Sequence, residues 1–376
     1  MIRHIFIIGS RGLPAKYGGF ETFVEQLVKH KMSEEIHYHV ACQTTEGLEK
    51  HFDYLGADCF MVKVPNIGGA KVMAYDSRAI KLAIKQIADE KIEHPIFYIL
   101  GNTIGGWIHH YVVKIHNLGG LLFVNPDGLE WRRTKWSVPI RRYLKYAEKK
   151  MVKSSDLIIS DNKGIEDYLR TEYGKINSQV IAYGTELVSS NLKTSMTLDK
   201  FGVTVGEYFL IVGRFVPENN YETIISQFMK SESQKSLVIV APAEGKFLEE
   251  LRNRTKCDKD ERVKFVGTIY DQNELRFVRE NAFAYIHGHE VGGTNPSLLE
   301  AMWSSPLNIV LGVPFNKEVA QDSAIYFSKA DLTEKINSTE KLINRGQFHL
   351  RAQEIILERY TWPQISKQYE ELFLES

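Results

Sequence analysis

Apolar runs of strand length alternate with stretches in which apolar residues recur at helical spacing along the whole chain. In the first half the runs at 5–8, 38–41, 95–100, 121–124, 157–160 and 179–182 predict buried strands, and another closes at Val62 and Val64. Between them, Phe20, Phe23, Val24, Leu27 and Val28 predict one helix, and Ile80, Ala83, Ile84 and Ile87 predict another over 74–87. The second half repeats the scheme with strands at 208–212, 237–241, 263–266, 282–286 and 309–311, and the chain ends in helices. Strand-helix units in both halves predict two doubly wound α/β domains facing a cleft. Their expected bounds are 1–188 and 201–376, joined by the polar segment between them.

A length of 376 residues suits two domains, each with its own core. Apolar residues at 43% and charged residues at 25% are ordinary for a globular protein and argue against disorder. The 47 basic residues equal the 47 acidic ones, so charge balance gives no sign of nucleic acid. Cys42, Cys59 and Cys257 are far apart and show no C-x-x-C spacing, which suggests neither a zinc site nor a redox pair and fits a reducing compartment. The first apolar run reads as a strand, not a signal peptide, and no uncharged apolar stretch reaches about 20 residues. Any membrane association is expected to be peripheral.

Candidate chemistry collects where strands end. After the strand at 282–286, Gly288, Gly292 and Gly293 permit a tight turn, Thr294 or Asn295 caps a helix, and Pro296 occupies its first turn. Unpaired N–H groups and the positive dipole end at such a start suit a diphosphate, and Glu300 is placed to accept hydrogen bonds from a sugar hydroxyl. The loop after the first strand ends in Gly18 and Gly19 just before a helix, with Arg11 and Lys16 as charge partners for an anion or as solvated residues. Its glycines lack the G-x-G-x-x-G spacing of a nicotinamide site, so a dehydrogenase is not indicated. Gly101 to Gly106 forms another glycine-rich strand end, for which ligand contact and a plain turn both stay open. Asp127 and Glu130 stand at a strand end among tryptophans and basic residues, Asp161 follows the strand at 157–160, and Tyr183 follows that at 179–182. An Asx turn at Asp127, and capping or packing at the other two, are the rival readings.

Residues 132–153 carry nine basic side chains against one acid, Glu148, with Val138, Ile140, Tyr143, Leu144, Ala147 and Met151 at amphipathic spacing. A basic amphipathic helix of this kind suits an anionic membrane surface, and Arg141, Arg142 and Lys145 are its candidate contacts. The same helix is also compatible with an apolar face packed on the sheet and a solvated basic face.

The stretch Gly-Gly-Thr-Asn-Pro-Ser-Leu-Leu-Glu, 292–300, resembles the nucleotide-sugar signature of the retaining glycosyltransferases of family 4, which have the GT-B fold. The resemblance extends over nearly the whole chain. It implies that Glu300 binds the nucleotide ribose, that Gly18, Gly19, Gly292, Gly293, Thr294 and Asn295 approach the donor, and that Arg214 binds the diphosphate. The family's opening Glu falls at Gly292 here, with Glu290 nearby, and its diphosphate-binding Lys falls at Asn219. The family's His-Gly-x-Asp-Trp puts Asp127 at the position of a His that contacts the donor sugar. The resemblance also implies that residues 362–373 cross back onto the first domain.

The stretch Asp-Gly-Leu-Glu-Trp-Arg-Arg-Thr-Lys-Trp is most similar to that of bacterial rhamnosyltransferases that form β-1,4 linkages on lipid-linked precursors of capsule or cell-wall polysaccharide. It implies dTDP-β-L-rhamnose as donor, retention of configuration without a metal, and a hexose or N-acetylhexosamine on undecaprenyl diphosphate as acceptor. The implied location is the inner face of the bacterial plasma membrane. Asp127, Asp161 and Tyr183 are then the candidate catalytic residues. A GT-B sugar-nucleotide epimerase, a transferase of another sugar and a non-catalytic binding module are the alternatives.

Overall fold

The computed structural model describes residues 2–376 apart from 17, 46–49, 65–67, 69–70, 134, 195 and 243. Tyr17 of the first loop, Thr134 of the tryptophan-rich stretch and Ser195 of the polar segment therefore lie outside the described residues. In chain order the first elements are β1 (Arg3–Ile8), α1 (Gly19–Lys29), β2 (Ile36–Thr44), β3 (His51–Tyr54), β4 (Ala57–Lys63), α2 (Lys71–Glu90) and β5 (Ile96–Leu100). Then come α3 (Ile108–Asn117), β6 (Leu121–Asn125), α4 (Val138–Ser154), β7 (Leu157–Ser160), α5 (Lys163–Tyr173) and β8 (Ser178–Val180). The second series is α6 (Met196–Phe201), β9 (Tyr208–Val212), α7 (Tyr221–Met229), β10 (Ser236–Val240), α8 (Lys246–Thr255), β11 (Val263–Phe265) and α9 (Gln272–Glu280). It continues through β12 (Ala284–His287), α10 (Pro296–Ser304), β13 (Asn308–Leu311), α11 (Pro314–Ala320), β14 (Ile325–Phe327), α12 (Leu332–Glu340), α13 (Arg345–Arg359) and α14 (Trp362–Glu375).

These elements form two compact units, residues 1–184 with 362–376, and residues 185–361. The first unit holds a sheet in the order β3-β4-β2-β1-β5-β6-β7-β8, parallel except for β3, which pairs antiparallel with β4. Alternation along β1 sends Ile5 and Ile7 to one face, with Phe23 and Leu27 of α1 and Tyr369 and Phe373 of α14. Phe6 and Ile8 go to the other face, with Ala79, Ile80 and Ala83 of α2 and Ile108 and Ile115 of α3. Helices therefore cover both faces of the sheet. The same logic builds the second unit on the fully parallel order β11-β10-β9-β12-β13-β14. There Phe209 and Ile211 face Ile224 and Phe228 of α7, and Tyr208 and Leu210 face Leu275 and Val278 of α9.

In such sheets ligands bind outside the carboxyl ends of the strands, where the strand order reverses. The central strands that meet this condition are β1 with β5 in the first unit and β9 with β12 in the second. The predicted glycine-rich loops leave these strands.

Candidate functional site

In the second unit the loops after β9 and β12 are knitted together by asparagines. Asn219, at the end of a 3-10 turn, donates from Nδ2 to the Arg214 carbonyl at 2.6 Å and accepts at Oδ1 from His289 Nδ1 at 2.7 Å. Asn220 Nδ2 donates to the Gly288 carbonyl at 2.8 Å, and Asn316 Nδ2 donates to the His289 carbonyl at 2.9 Å. A methyl group on Gly288 would stand 2.4 Å from the Asn219 carbonyl oxygen, so only glycine fits that close approach. Asn219 therefore holds the two loops in register where the resembled family has a cation. Arg214 is exposed, and among the described residues its guanidinium makes no hydrogen bond or ion pair.

Asn295 is the N-cap of α10, accepting at Oδ1 from Ser297 N–H at 3.0 Å, and Pro296 follows it. Ser297 Oγ and the Tyr285 hydroxyl both donate to the Val212 carbonyl, at 2.9 and 2.8 Å, which fastens the helix start to the end of β9 beside Arg214. Thr294 is buried within this turn. Gly292 has φ +143°, and a methyl group there would reach 3.0 Å from His289 Nε2, so the local backbone rejects the family's Glu at this position. Glu290 pairs with Lys329 at 2.5 Å, and its N–H donates to the Glu218 carbonyl. Glu290 also borders a cavity of about 550 Å³ with Tyr221, Glu222, Arg254 and Lys329. Glu300 is 42% exposed, with Oε2 at 2.6 Å from NH2 of Arg279, whose side chain is 3% exposed. His287, at the end of β12, is buried; burial and then the neighbouring His289 push its pKa down to about 3, which keeps the ring neutral.

In the first unit, Gly18 has φ +133°, and a methyl group there would overlap the Glu21 carboxylate, 1.8 Å from Oε2. Glu21 is buried and accepts from the Arg11 N–H at 2.8 Å, so a side-chain carboxylate already lies at the start of α1. Gly19, with nothing within 4 Å of its missing side chain, is the open member of the pair.

The structure brings Asp127, Asp161 and Tyr183 into one electrostatic neighbourhood at the carboxyl edge of β6 to β8. Burial, and then the charges of Asp161 and Asp127, push the Tyr183 hydroxyl well above its ordinary pKa. Asp127 has φ 59° and sits in an Asx turn made by Asn125, whose Oδ1 accepts from the Asp127 N–H at 3.0 Å, while Asp127 Oδ1 accepts from the adjacent Gly128 N–H at 2.7 Å. Arg133 NH2 is 3.9 Å from the same carboxylate. Asp161 is buried, and the cap of α5 is its neighbour Asn162. Glu130 is a structural knot, accepting from Trp136 Nε1 at 2.8 Å and paired with the charges of Arg133 and Lys135, each also at 2.8 Å.

Four further polar side chains of this unit, Asn125, Tyr98, Tyr369 and Asp76, were not predicted. Buried Asn125 donates to the Tyr98 hydroxyl at 3.5 Å, and Tyr98 meets the hydroxyl of Tyr369 on α14 at 3.1 Å. Asp76 accepts from Thr103 Oγ at 2.9 Å, and burial pushes its carboxyl up to about 7. The signal for Asp76 was in the sequence: it shares the apolar stripe of Ala79, Ile80 and Ala83.

The basic helix α4 buries Leu144, Ala147 and Met151, as its spacing predicts, but leaves Val138 57% and Ile140 42% exposed. Two of the three proposed membrane contacts are turned inward. Arg141 donates from Nε to the Trp131 carbonyl at 2.9 Å. Lys145 sits 4.6, 4.8 and 5.0 Å from the ring centroids of Trp131, Tyr168 and Tyr173, between Glu148 and Glu172. Aromatic faces and two carboxylates attract that ammonium more strongly than open solvent does. Arg142, Lys149, Lys150 and Lys153 remain on the exposed face with Tyr146, and Trp107, 54% exposed, lies 6.5 Å from the Tyr143 ring. Among the described residues no helix is long and apolar enough to cross a membrane.

Residues 2–186 match the profile of a family described as a domain of unknown function (DUF1972). No curated protein sequence matches the chain. Among solved structures, sucrose-phosphate synthase from Thermosynechococcus elongatus is 17% identical with a TM-score of 0.77, covering 100% of both chains. HepE from Anabaena, solved in complex with UDP, is 14% identical with a TM-score of 0.73, again over 100% of both chains. The α,α-trehalose 6-phosphate synthase from Burkholderia multivorans is 10% identical with a TM-score of 0.70, covering 100% of this chain and 97% of its own. Likeness at these identities establishes the fold: the chain has the GT-B fold, with two parallel Rossmann-like sheets.

Proposed function

We propose that the chain is a nucleotide-sugar-dependent glycosyltransferase that transfers L-rhamnose, with retention, from dTDP-β-L-rhamnose to a hexose or N-acetylhexosamine on a lipid diphosphate. The observation that carries this reading is the reversal point of the second sheet. There Ser297 fastens the capped start of α10 to the Val212 carbonyl, two residues before Arg214, whose guanidinium is unpaired among the described residues, and α10 carries half-exposed Glu300. A cation and unpaired helix N–H groups suit a diphosphate, and a carboxylate in the second turn suits a pentose hydroxyl. The UDP bound to HepE, which shares the fold, supports a nucleoside diphosphate here. Rhamnose is favoured by the acid at Asp127, because a 6-deoxy sugar has no C6 hydroxyl for the family's His to hold. The leaving diphosphate takes the acceptor proton, so the protein supplies no nucleophile.

A panel of nucleotide sugars, each assayed with and without a synthetic lipid-diphosphate sugar, tests the reading. Consumption of dTDP-rhamnose only when acceptor is present is expected; acceptor-independent turnover of a nucleotide sugar would instead identify an epimerase. Arg214→Ala is expected to weaken dTDP binding by about 10- to 100-fold, since a charge-assisted hydrogen bond contributes roughly 1.5 to 3 kcal/mol. The fold should survive because the side chain is exposed. Unchanged affinity by calorimetry removes Arg214 from the site.

The membrane contact proposed for α4 rests on its exposed cations together with Val138, Ile140 and Tyr146, and places the enzyme at the inner face of the plasma membrane. Each cation near an anionic surface contributes about 1 kcal/mol. Charge reversal at Arg142, Lys149 and Lys150 is expected to release the protein from anionic vesicles and spare turnover of a short-chain soluble acceptor. Equal vesicle binding by wild type and variant overturns the patch.

A further inference from the structure

Arg279 is a buried guanidinium with one ion-pair partner among the described residues, Glu300, and its Nε has no hydrogen-bond partner. Taking a guanidinium out of water and leaving one of its donors unmet costs free energy that an ion pair to a half-exposed carboxylate does not fully restore. Stability alone is therefore a poor account of the residue. What the contact does accomplish is geometric. Leu298, Leu299, Ala301 and Met302 are fully buried, so α10 cannot turn on its axis and the backbone of Glu300 is fixed. The remaining freedom lies in the Glu300 side-chain torsions, and the 2.6 Å contact from Arg279 to Oε2 removes it.

We infer that Arg279 is a positioning residue that commits Oε2 of Glu300 and leaves Oε1 to meet a single pentose hydroxyl, so that the site accepts 2′-deoxyribonucleoside diphosphates without penalty relative to their ribo counterparts. The inference rests on the reading above, in which Glu300 receives the pentose of the donor. A carboxylate with both oxygens free bridges the vicinal 2′,3′-diol of a ribonucleotide through two hydrogen bonds. With one oxygen committed to the ion pair, the ribo form is expected to gain nothing over the deoxy form. The single hydroxyl available on a deoxy ring is the 3′-hydroxyl, and the geometry assigns Oε1 to it.

Calorimetry on the full chain with three ligands tests this: thymidine diphosphate, its ribo counterpart 5-methyluridine diphosphate, and 3′-deoxythymidine diphosphate. The first two are expected to bind within about threefold of each other, and the third about tenfold or more weaker, the loss expected for one hydrogen bond to a charged group. Glu300→Gln, a change at a half-exposed position, should erase most of the discrimination against the 3′-deoxy ligand. Arg279→Met frees the carboxylate and is expected to shift preference toward the ribo ligand by about fivefold or more, with partial return in Arg279→Lys. The three ligands on the wild-type protein decide the matter even where a variant at Arg279 fails to fold. A wild-type preference for the ribo ligand of about tenfold, or nucleotide binding indifferent to the 3′-hydroxyl, overturns this inference alone. Failure of all three nucleotides to bind overturns it together with the proposed function.

Discussion

Asp127→Asn, Asp161→Asn and Tyr183→Phe are each expected to slow transfer by about 10²-fold or more while leaving dTDP affinity unchanged. The expectation starts from charge. Burial and two nearby carboxylates hold the Tyr183 hydroxyl far above its ordinary pKa, so it stays protonated and acts as a hydrogen-bond donor. With the diphosphate taking the acceptor proton, the protein has two tasks: to orient the acceptor hydroxyl, and to stabilise positive charge on the sugar as the bond to phosphate lengthens. A fixed phenol serves the first and carboxylates serve the second. Each substitution keeps the shape of its side chain. Tyr183→Phe retains the ring contact with Phe23, whose centroid is 5.3 Å away, and the two Asp→Asn changes remove charge without removing volume. Lost turnover with intact melting and intact dTDP binding is therefore the signature of a chemical role. Single-turnover assays with dTDP-rhamnose and a lipid-diphosphate acceptor read it directly, and near-wild-type rates in all three variants would move the chemistry away from this edge.

Local pattern carried most of the fold. Strands at 157–160 and 208–212 stand where their apolar runs place them, and Asn295 caps α10 with Pro296 behind it as turn chemistry requires. What escaped was set by contacts between distant segments. β3 alternates charged and aromatic residues at a sheet edge, where partial exposure removes the apolar run that marks a buried strand. Lys145 reads as one cation among nine until Trp131 from the preceding turn and Tyr168 and Tyr173 from α5 enclose it. Asn219 reads as a lost Lys until its two hydrogen bonds show it joining loops from β9 and β12. The same limit hid Arg279: on α9 it looks like an ordinary basic residue in the last turn, and only the packing of α9 against α10 sets it on Glu300. Strand-end position thus marked the loops that carry the candidate residues, while the partners that orient their side chains depended on tertiary packing.

The loop arrangement makes Gly288→Ala the most damaging small substitution expected in the second unit. Gly288 does not have a positive φ, so alanine meets no backbone strain there and the penalty is steric. The added methyl would lie 2.4 Å from the Asn219 carbonyl oxygen and 2.6 Å from Ile224 Cδ1, one a backbone atom and the other part of the core against α7. Relief requires the Asn219 segment to move, and that motion strains the Asn219 bonds to Arg214 and His289 and the Asn220 bond to Gly288. Overpacking costs about 1 to 3 kcal/mol and each of the three weakened hydrogen bonds about 1 kcal/mol, so a loss of roughly 4 to 6 kcal/mol is expected. For a unit of this size that lowers Tm by about 8 to 24 °C. Affinity for dTDP should fall with it by about tenfold or more, because Arg214 is carried on the displaced loop. Gly346→Ala is the matched control: it lies in α13 of the same unit with nothing within 4 Å of the new methyl, and helix propensity favours alanine there by up to about 1 kcal/mol. If Gly288→Ala melts with the wild type and binds dTDP equally well, the two loops yield to each other freely, and Arg214 is not held in place by the asparagine bonds that join them.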